Sequence, residues 1–108
     1  MSERIVVLCS VGTAADADRI ATLVVERGLA ACVNVLPGVR SVYRWQGQLE
    51  REEEHLLVVK TRAERFEALR EAIVAAHPYQ TPELIALPIV AGHAPYLAWL
   101  DQHSAGSA

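Results

Sequence analysis

The chain has little with which to staple itself. It carries only two cysteines, Cys9 and Cys32, in 108 residues. They share no Cys-x-x-Cys or Cys…His-x-x-x-His spacing, which excludes a zinc finger. No apolar run approaches the roughly 18 residues a membrane helix requires. Basic residues form no cluster: ten Lys+Arg are scattered against thirteen Asp+Glu, for a net charge of −3. A phosphate backbone has nothing to track along such a surface, so nucleic acid is excluded as the main partner. The start of the chain offers only Glu3 and Arg4 before a short apolar stretch, with Asp16 and Asp18 close behind, and this is no secretory signal. There is no phosphate-cradling glycine motif and no nucleophile–base–orienter set, so the reading is a protein that is not an enzyme. It is expected to be cytoplasmic, with no membrane partner.

What is present is an ordinary globular composition, 52% hydrophobic and 21% charged, of a length for one domain. Ile5 to Cys9 is apolar at both parities, as in a strand covered on both faces. Gly12 breaks it, Thr13 serves as N-cap, and Ile20, Leu23 and Val24 stripe a helix closed by Arg27-Gly28. A second apolar run, Leu29 to Leu36, meets Pro37-Gly38 and resumes from Val39 to Trp45. Gln46-Gly47 is a tight-turn signal, after which Leu49 to Thr61 runs back.

Two hairpins compete here, and the turn at Gln46-Gly47 is preferred, with Pro37-Gly38 a bend or bulge inside one long strand. That fold sets Arg40 near Glu53 and Leu36 near Leu57. Arg62 to His77 is a second amphipathic helix, striped by Phe66, Leu69 and Ile73 and stopped by Pro78. Leu84 to Val90 is the last strand, placed at a sheet edge because Pro88 lacks a ladder donor. Pro95 opens a short helix with Tyr96, Trp99 and Leu100 as its stripe.

The order βαββαβ with a terminal helix is the split βαβ, ferredoxin-like pattern of an α+β domain. Its domain spans residues 1–103, and 104–108 reads as a flexible tail. The third strand should lie between the first and second, which keeps Cys9 and Cys32 apart. Two helices cover one face of such a sheet. Strands around Val6-Leu8, Ala30-Cys32 and Leu57-Val59 offer apolar side chains to both, and the simplest cover for the second face is a copy of the same chain.

Several strings then match one family: IVVLCS (Ile5–Ser10), GLAACVNVLPG (Gly28–Gly38), SVYRWQGQLE (Ser41–Glu50), HPYQTPELIALPI (His77–Ile89) and YLAWL (Tyr96–Leu100). They fall in order over nearly the whole chain, and the sequence resembles the CutA divalent-ion tolerance proteins. The resemblance implies a homotrimer of ferredoxin-like subunits related to the PII signalling proteins, whose long hairpin arms reach neighbouring subunits. It also implies a role in response to metal ions, with copper(II) or another divalent cation as ligand. In the family's copper-binding reading a first-strand cysteine matches Cys9 and a histidine before the proline matches His77. The adjoining histidine position holds Ala76, which leaves two ligands where stable zinc sites use about four.

Bland readings stand beside these. Cys9 is also what a buried thiol looks like, and His77 what a helix C-cap looks like. His55, His93 and His103 have no partner at ligand spacing. Glu50 with Glu52 to Glu54 could gather hard cations, but an unbroken acidic run on a strand reads first as a solvated face. A second set, Trp45, Lys60, Tyr79, Glu83 and Trp99, gathers the polar-tipped members of the matching strings. Lys60 in an apolar strand requires a partner, and Glu83 is the candidate. These five define either a structural ion pair with aromatic packing or an inter-subunit cleft. The cleft would suit a PII-like signalling or scaffold trimer that holds a small anion or metabolite.

Overall fold

The protein is described by a computed structural model covering residues 3–106. Four antiparallel strands form one sheet in the order β2-β3-β1-β4, accompanied by three α-helices. Strand β1 spans Arg4–Val11, helix α1 Ala14–Glu26, β2 Cys32–Trp45, β3 Gln48–Arg62, α2 Phe66–Ala76, β4 Ile85–Pro88 and α3 Ala94–His103. The third strand lies between the first and second, as the element order predicts. Both cysteines are free.

Local signals act where the sequence placed them. The Thr13 hydroxyl accepts from the Asp16 amide at 3.1 Å, and Gly28 follows α1 at φ 68°. Pro88 sits on β4, an edge strand. The turn between β2 and β3 falls at Gln46-Gly47, both with positive φ.

Several boundaries move, β2 among them, which opens at Cys32 rather than Leu29. Residue 62 was expected to start a helix, but the Ala63 amide donates to the Glu3 carbonyl at 2.8 Å and holds the chain in the sheet through Arg62. A short 3-10 turn, Ala63–Arg65, then leads into α2. The last strand shortens to four residues, the stretch that pairs with Ile5 to Leu8.

The bulge at Pro37-Gly38 decides the register. Arg40 faces Glu53 as expected, but Leu36 faces Leu56 rather than Leu57. Two residues of β2 oppose one of β3 there, so everything beneath the bulge slips by one. Side chains on a strand alternate faces, so that single residue decides which of them reach the core.

Ile5, Val7, Cys9 and Val11 of β1 and Leu57 and Val59 of β3 pack with Ala17, Ile20 and Val24 of α1 and Leu69 and Ile73 of α2. The opposite face, by register, carries Val6, Leu8, Leu56, Val58, Ile85 and Leu87. Helix α3 takes one end of it. Asp101 receives a two-pronged bond from Arg4 at 3.0 and 2.6 Å, and Arg62 donates to the Ser104 carbonyl at 3.2 Å. The rest lies open: Ile85 is 52% exposed and Leu87 48%.

The tail expected at 104–108 is held at its start. Ser104 is fully buried and bonds the Leu100 carbonyl at 2.6 Å, and the Gly106 amide donates to the Gly28 carbonyl at 3.0 Å. Residues 1 and 2 of the expected domain, and 107 and 108 of that tail, lie outside the described residues. Among the described residues no helix is long and apolar enough to cross a membrane.

Gly38, with φ 70° and open space where a side chain would project, isolates the backbone term of the bulge. Gly38→Ala is expected to lose about 1 kcal/mol, since only the left-handed conformation resists the new methyl. Urea unfolding checks this, with a lower midpoint at unchanged slope.

Candidate functional site

Where β1 ends and the hairpin arm begins, the chain forms a cleft of about 670 Å³. Strand β1 contributes Ser10, the arm contributes Ser41, Val42, Tyr43, Trp45, Glu52 and Glu54, and the α2–β4 connection contributes Tyr79, Gln80, Thr81 and Glu83. Three carboxylates line it, and no lysine or arginine does.

The connection is positioned by His77. Pro78 forbids another helical turn, so His77 is extended at ψ 136° and its ring turns inward to become buried. The Tyr79 amide donates to Nδ1 at 3.1 Å, which leaves the ring proton on Nε2, 2.8 Å from the Ser10 carbonyl that accepts it. The His77 and Tyr79 rings lie 4.7 Å apart. So held, the Tyr79 hydroxyl donates to Glu54 Oε2 at 2.7 Å. Tyr43 donates to Glu52, and Ser10 Oγ to Glu83 at 3.4 Å.

These contacts shift the titrating groups in one direction. Burial, then the Glu54 carboxylate, pushes the Tyr79 phenol up, and the bond to Glu52 raises Tyr43 to about 12. Burial, then the charges of Glu83 and Glu54, pushes the Cys9 thiol to about 12.

Both expected metal ligands have other surroundings and partners in this structure. Cys9 is fully buried on the helix-covered face, where burial first and then the charges of Glu83 and Glu54 push its thiol up. His77 has both ring nitrogens engaged, one by an amide and one on a carbonyl. Among the described residues no three His, Cys, Asp or Glu side chains stand together as a group able to hold a metal.

The second set divides. Trp45, Tyr79 and Glu83 meet in the cleft. Lys60 does not reach Glu83; it donates to Asn34, across the neighbouring strand. The expected Lys60–Glu83 pair fails because Glu83 lies beyond the end of β4, beside Ser10, whereas Lys60 pairs with Val6 further along β1. Trp99 lies on α3, stacked between Tyr96 at 5.6 Å and His103 at 4.8 Å. With Lys60 outside and only carboxylates within, the cleft has no charge to attract a small anion.

Sequence reasoning missed Ser10 and Tyr43, and read Glu52 and Glu54 chiefly as a solvated face. The signal for Tyr43 and Glu52 was available, since a hairpin about Gln46-Gly47 makes them diagonal neighbours on one face. For Glu54 there was none, because its partner Tyr79 arrives from a loop.

The class of protein so defined is a small α+β sheet protein with a long hairpin arm and an acidic, aromatic cleft at its root. Residues 5–103 match the family model for the CutA1 divalent ion tolerance protein, and the chain belongs to that family. The divalent-cation tolerance protein CutA of Thermus thermophilus is 48% identical over 92% of this chain and 96% of its own length. The protein of that name from Citrobacter koseri is 44% identical over 92% and 86%. Among solved structures, CutA1 from Oryza sativa superposes with a TM-score of 0.94 at 42% identity, covering 97% of this chain and 96% of its own. The Thermus thermophilus Cut A1 structure gives 0.90 at 47%, covering 96% and 99%.

The raised thiol and phenol values fix a sign for alkaline stability. The Cys9 thiol holds its proton more tightly folded than unfolded, so its contribution is complete below about pH 9 and is lost as pH rises towards 12. Solvent screens the exposed Tyr43 and leaves it little part. Urea midpoints are expected to fall progressively above pH 9, and Cys9→Ala to flatten part of that decline.

Proposed function

We propose that the chain works as a homotrimeric divalent-cation-binding protein in the response to metal ions, with copper(II) or another divalent cation as its ligand. The architecture proposed for it is the ferredoxin-like, PII-related trimer. The observation that carries the cation reading is the charge of the cleft. Glu54 is 4% exposed, and among the described residues neither it nor Glu52 nor Glu83 forms an ion pair with a cationic side chain. A buried carboxylate without a counter-ion is costly, and a bound cation relieves it. The names of the relatives agree with a cation. Oxygen donors accept most divalent ions, and copper(II) leads the first-row series at a given site. Cys9 and His77 are engaged as described, so this proposal places the cation on the glutamates, as a site of at most two protein ligands, since among the described residues no three are grouped.

Assembly is supported by the open sheet face. Ile85, Leu87 and half-buried Val6, Leu8 and Val58 form an apolar surface that soluble monomers rarely leave to water. The exposed Trp45 at the arm's end is an anchor suited to a neighbouring copy.

Calorimetric titration with Cu²⁺, Zn²⁺ and Mg²⁺ tests the first part. Glu52→Gln/Glu83→Gln is expected to weaken binding about tenfold or more, in line with the loss of charged partners, while Cys9→Ala leaves it unchanged. Binding lost with Cys9→Ala and kept in the glutamate variant returns the site to Cys9 and His77.

Sedimentation velocity tests the second part. The wild type is expected to move as three copies of the 11.8 kDa chain. Leu87→Asp, which places a charge in the open face, is expected to move as one.

A further inference from the structure

The cleft has more than charge. One of the chain's two tryptophans and two of its three tyrosines line it: Trp45, Tyr43 and Tyr79. Its volume of about 670 Å³ is far larger than one metal ion and falls within the usual range for small-molecule sites. The carboxylates do not converge: among the described residues no three acidic, histidine or cysteine side chains are grouped to hold one ion. Each carboxylate has one donor from a hydroxyl, and an ionised carboxylate offers about four acceptor positions, so most of their capacity is unused. Glu54 is buried, and among the described residues the side-chain donor it receives from is a neutral phenol.

Spaced carboxylates want a cation with more than one N–H donor, and aromatic walls want a cation with hydrocarbon between its charges. Aromatic faces attract ammonium groups through their quadrupole, and alkyl carbons bury against them. A bare divalent ion uses the charge of this cleft but not its walls or its size.

We infer that the cleft binds a small organic diammonium ion, with one ammonium between Glu54 and Glu83, the other at Glu52, and the alkyl chain against Tyr43, Trp45 and Tyr79. This goes beyond the divalent-cation reading and stands independently of it, although the two ligands would compete for the same glutamates.

The test uses the intact protein at fixed ionic strength, titrated calorimetrically with 1,4-diaminobutane, 1-aminobutane and 1,4-butanediol. Saturable binding is expected for the diamine, at least tenfold weaker binding for the monoamine, and none for the diol. Glu83→Gln and Glu52→Gln are each expected to weaken the diamine about tenfold, and Tyr43→Ser to weaken it while sparing Mg²⁺ binding. Absence of saturable diamine binding overturns the inference. So does diamine binding that all three substitutions leave untouched, or that the monoamine matches. Diamine binding in a protein that fails to bind Cu²⁺, Zn²⁺ and Mg²⁺ upholds this inference and removes the metal reading, whereas the converse does the opposite.

Discussion

One imidazole holds together the three parts that make the cleft. His77 closes α2, takes an amide proton from the chain that follows it, and returns its own proton to the Ser10 carbonyl at the end of β1. The Tyr79 backbone is thereby fixed, and its side chain can span to Glu54 on the arm. Remove the ring and a helix end, a strand end and a hairpin root lose their shared link. In that bonding both ring nitrogens of His77, the histidine expected to ligate a metal, are already engaged. A nitrogen that accepts an amide proton has no lone pair left to give.

Charge follows from that geometry. The arm's acidic run would be an unremarkable solvated face if the α2–β4 connection did not fold over it. Tyr79 and Glu83 close one side of the space, bury Glu54 and add a third carboxylate. No arginine or lysine accompanies them. The result is a negative, aromatic hollow, in which cations are favoured and anions are not. Cys9, beneath the sheet, registers the same field: Glu83 and Glu54 help keep its thiol protonated.

The sheet sets the second constraint. Two helices of 13 and 11 residues cover one face, and α3 closes only the Arg4–Arg62 end of the other. Among the described residues the rest is only partly covered, with Ile85 and Leu87 exposed. The trimer proposed above answers this, and it would also bring each arm against a neighbour, so cleft and assembly share an edge.

Much of this was legible in the sequence. The strand and helix order, the turn at Gln46-Gly47, the bulge, the caps and the edge position of β4 all come from local preferences, which residues carry with them wherever they fold. Family membership was equally legible, from strings such as HPYQTPE and CVN…YRWQG. The tertiary structure alone decided the rest. It extended β3 through Arg62 because Ala63 bonds across to Glu3, and slipped Leu36 onto Leu56 because one extra residue sits in the bulge. It buried Cys9, engaged both ring nitrogens of His77, sent Lys60 to Asn34, and joined Tyr79 to Glu54 across 25 positions of chain. Pairings of that kind depend on where loops land in space, and a side chain's type does not say which of several partners the fold will bring to it.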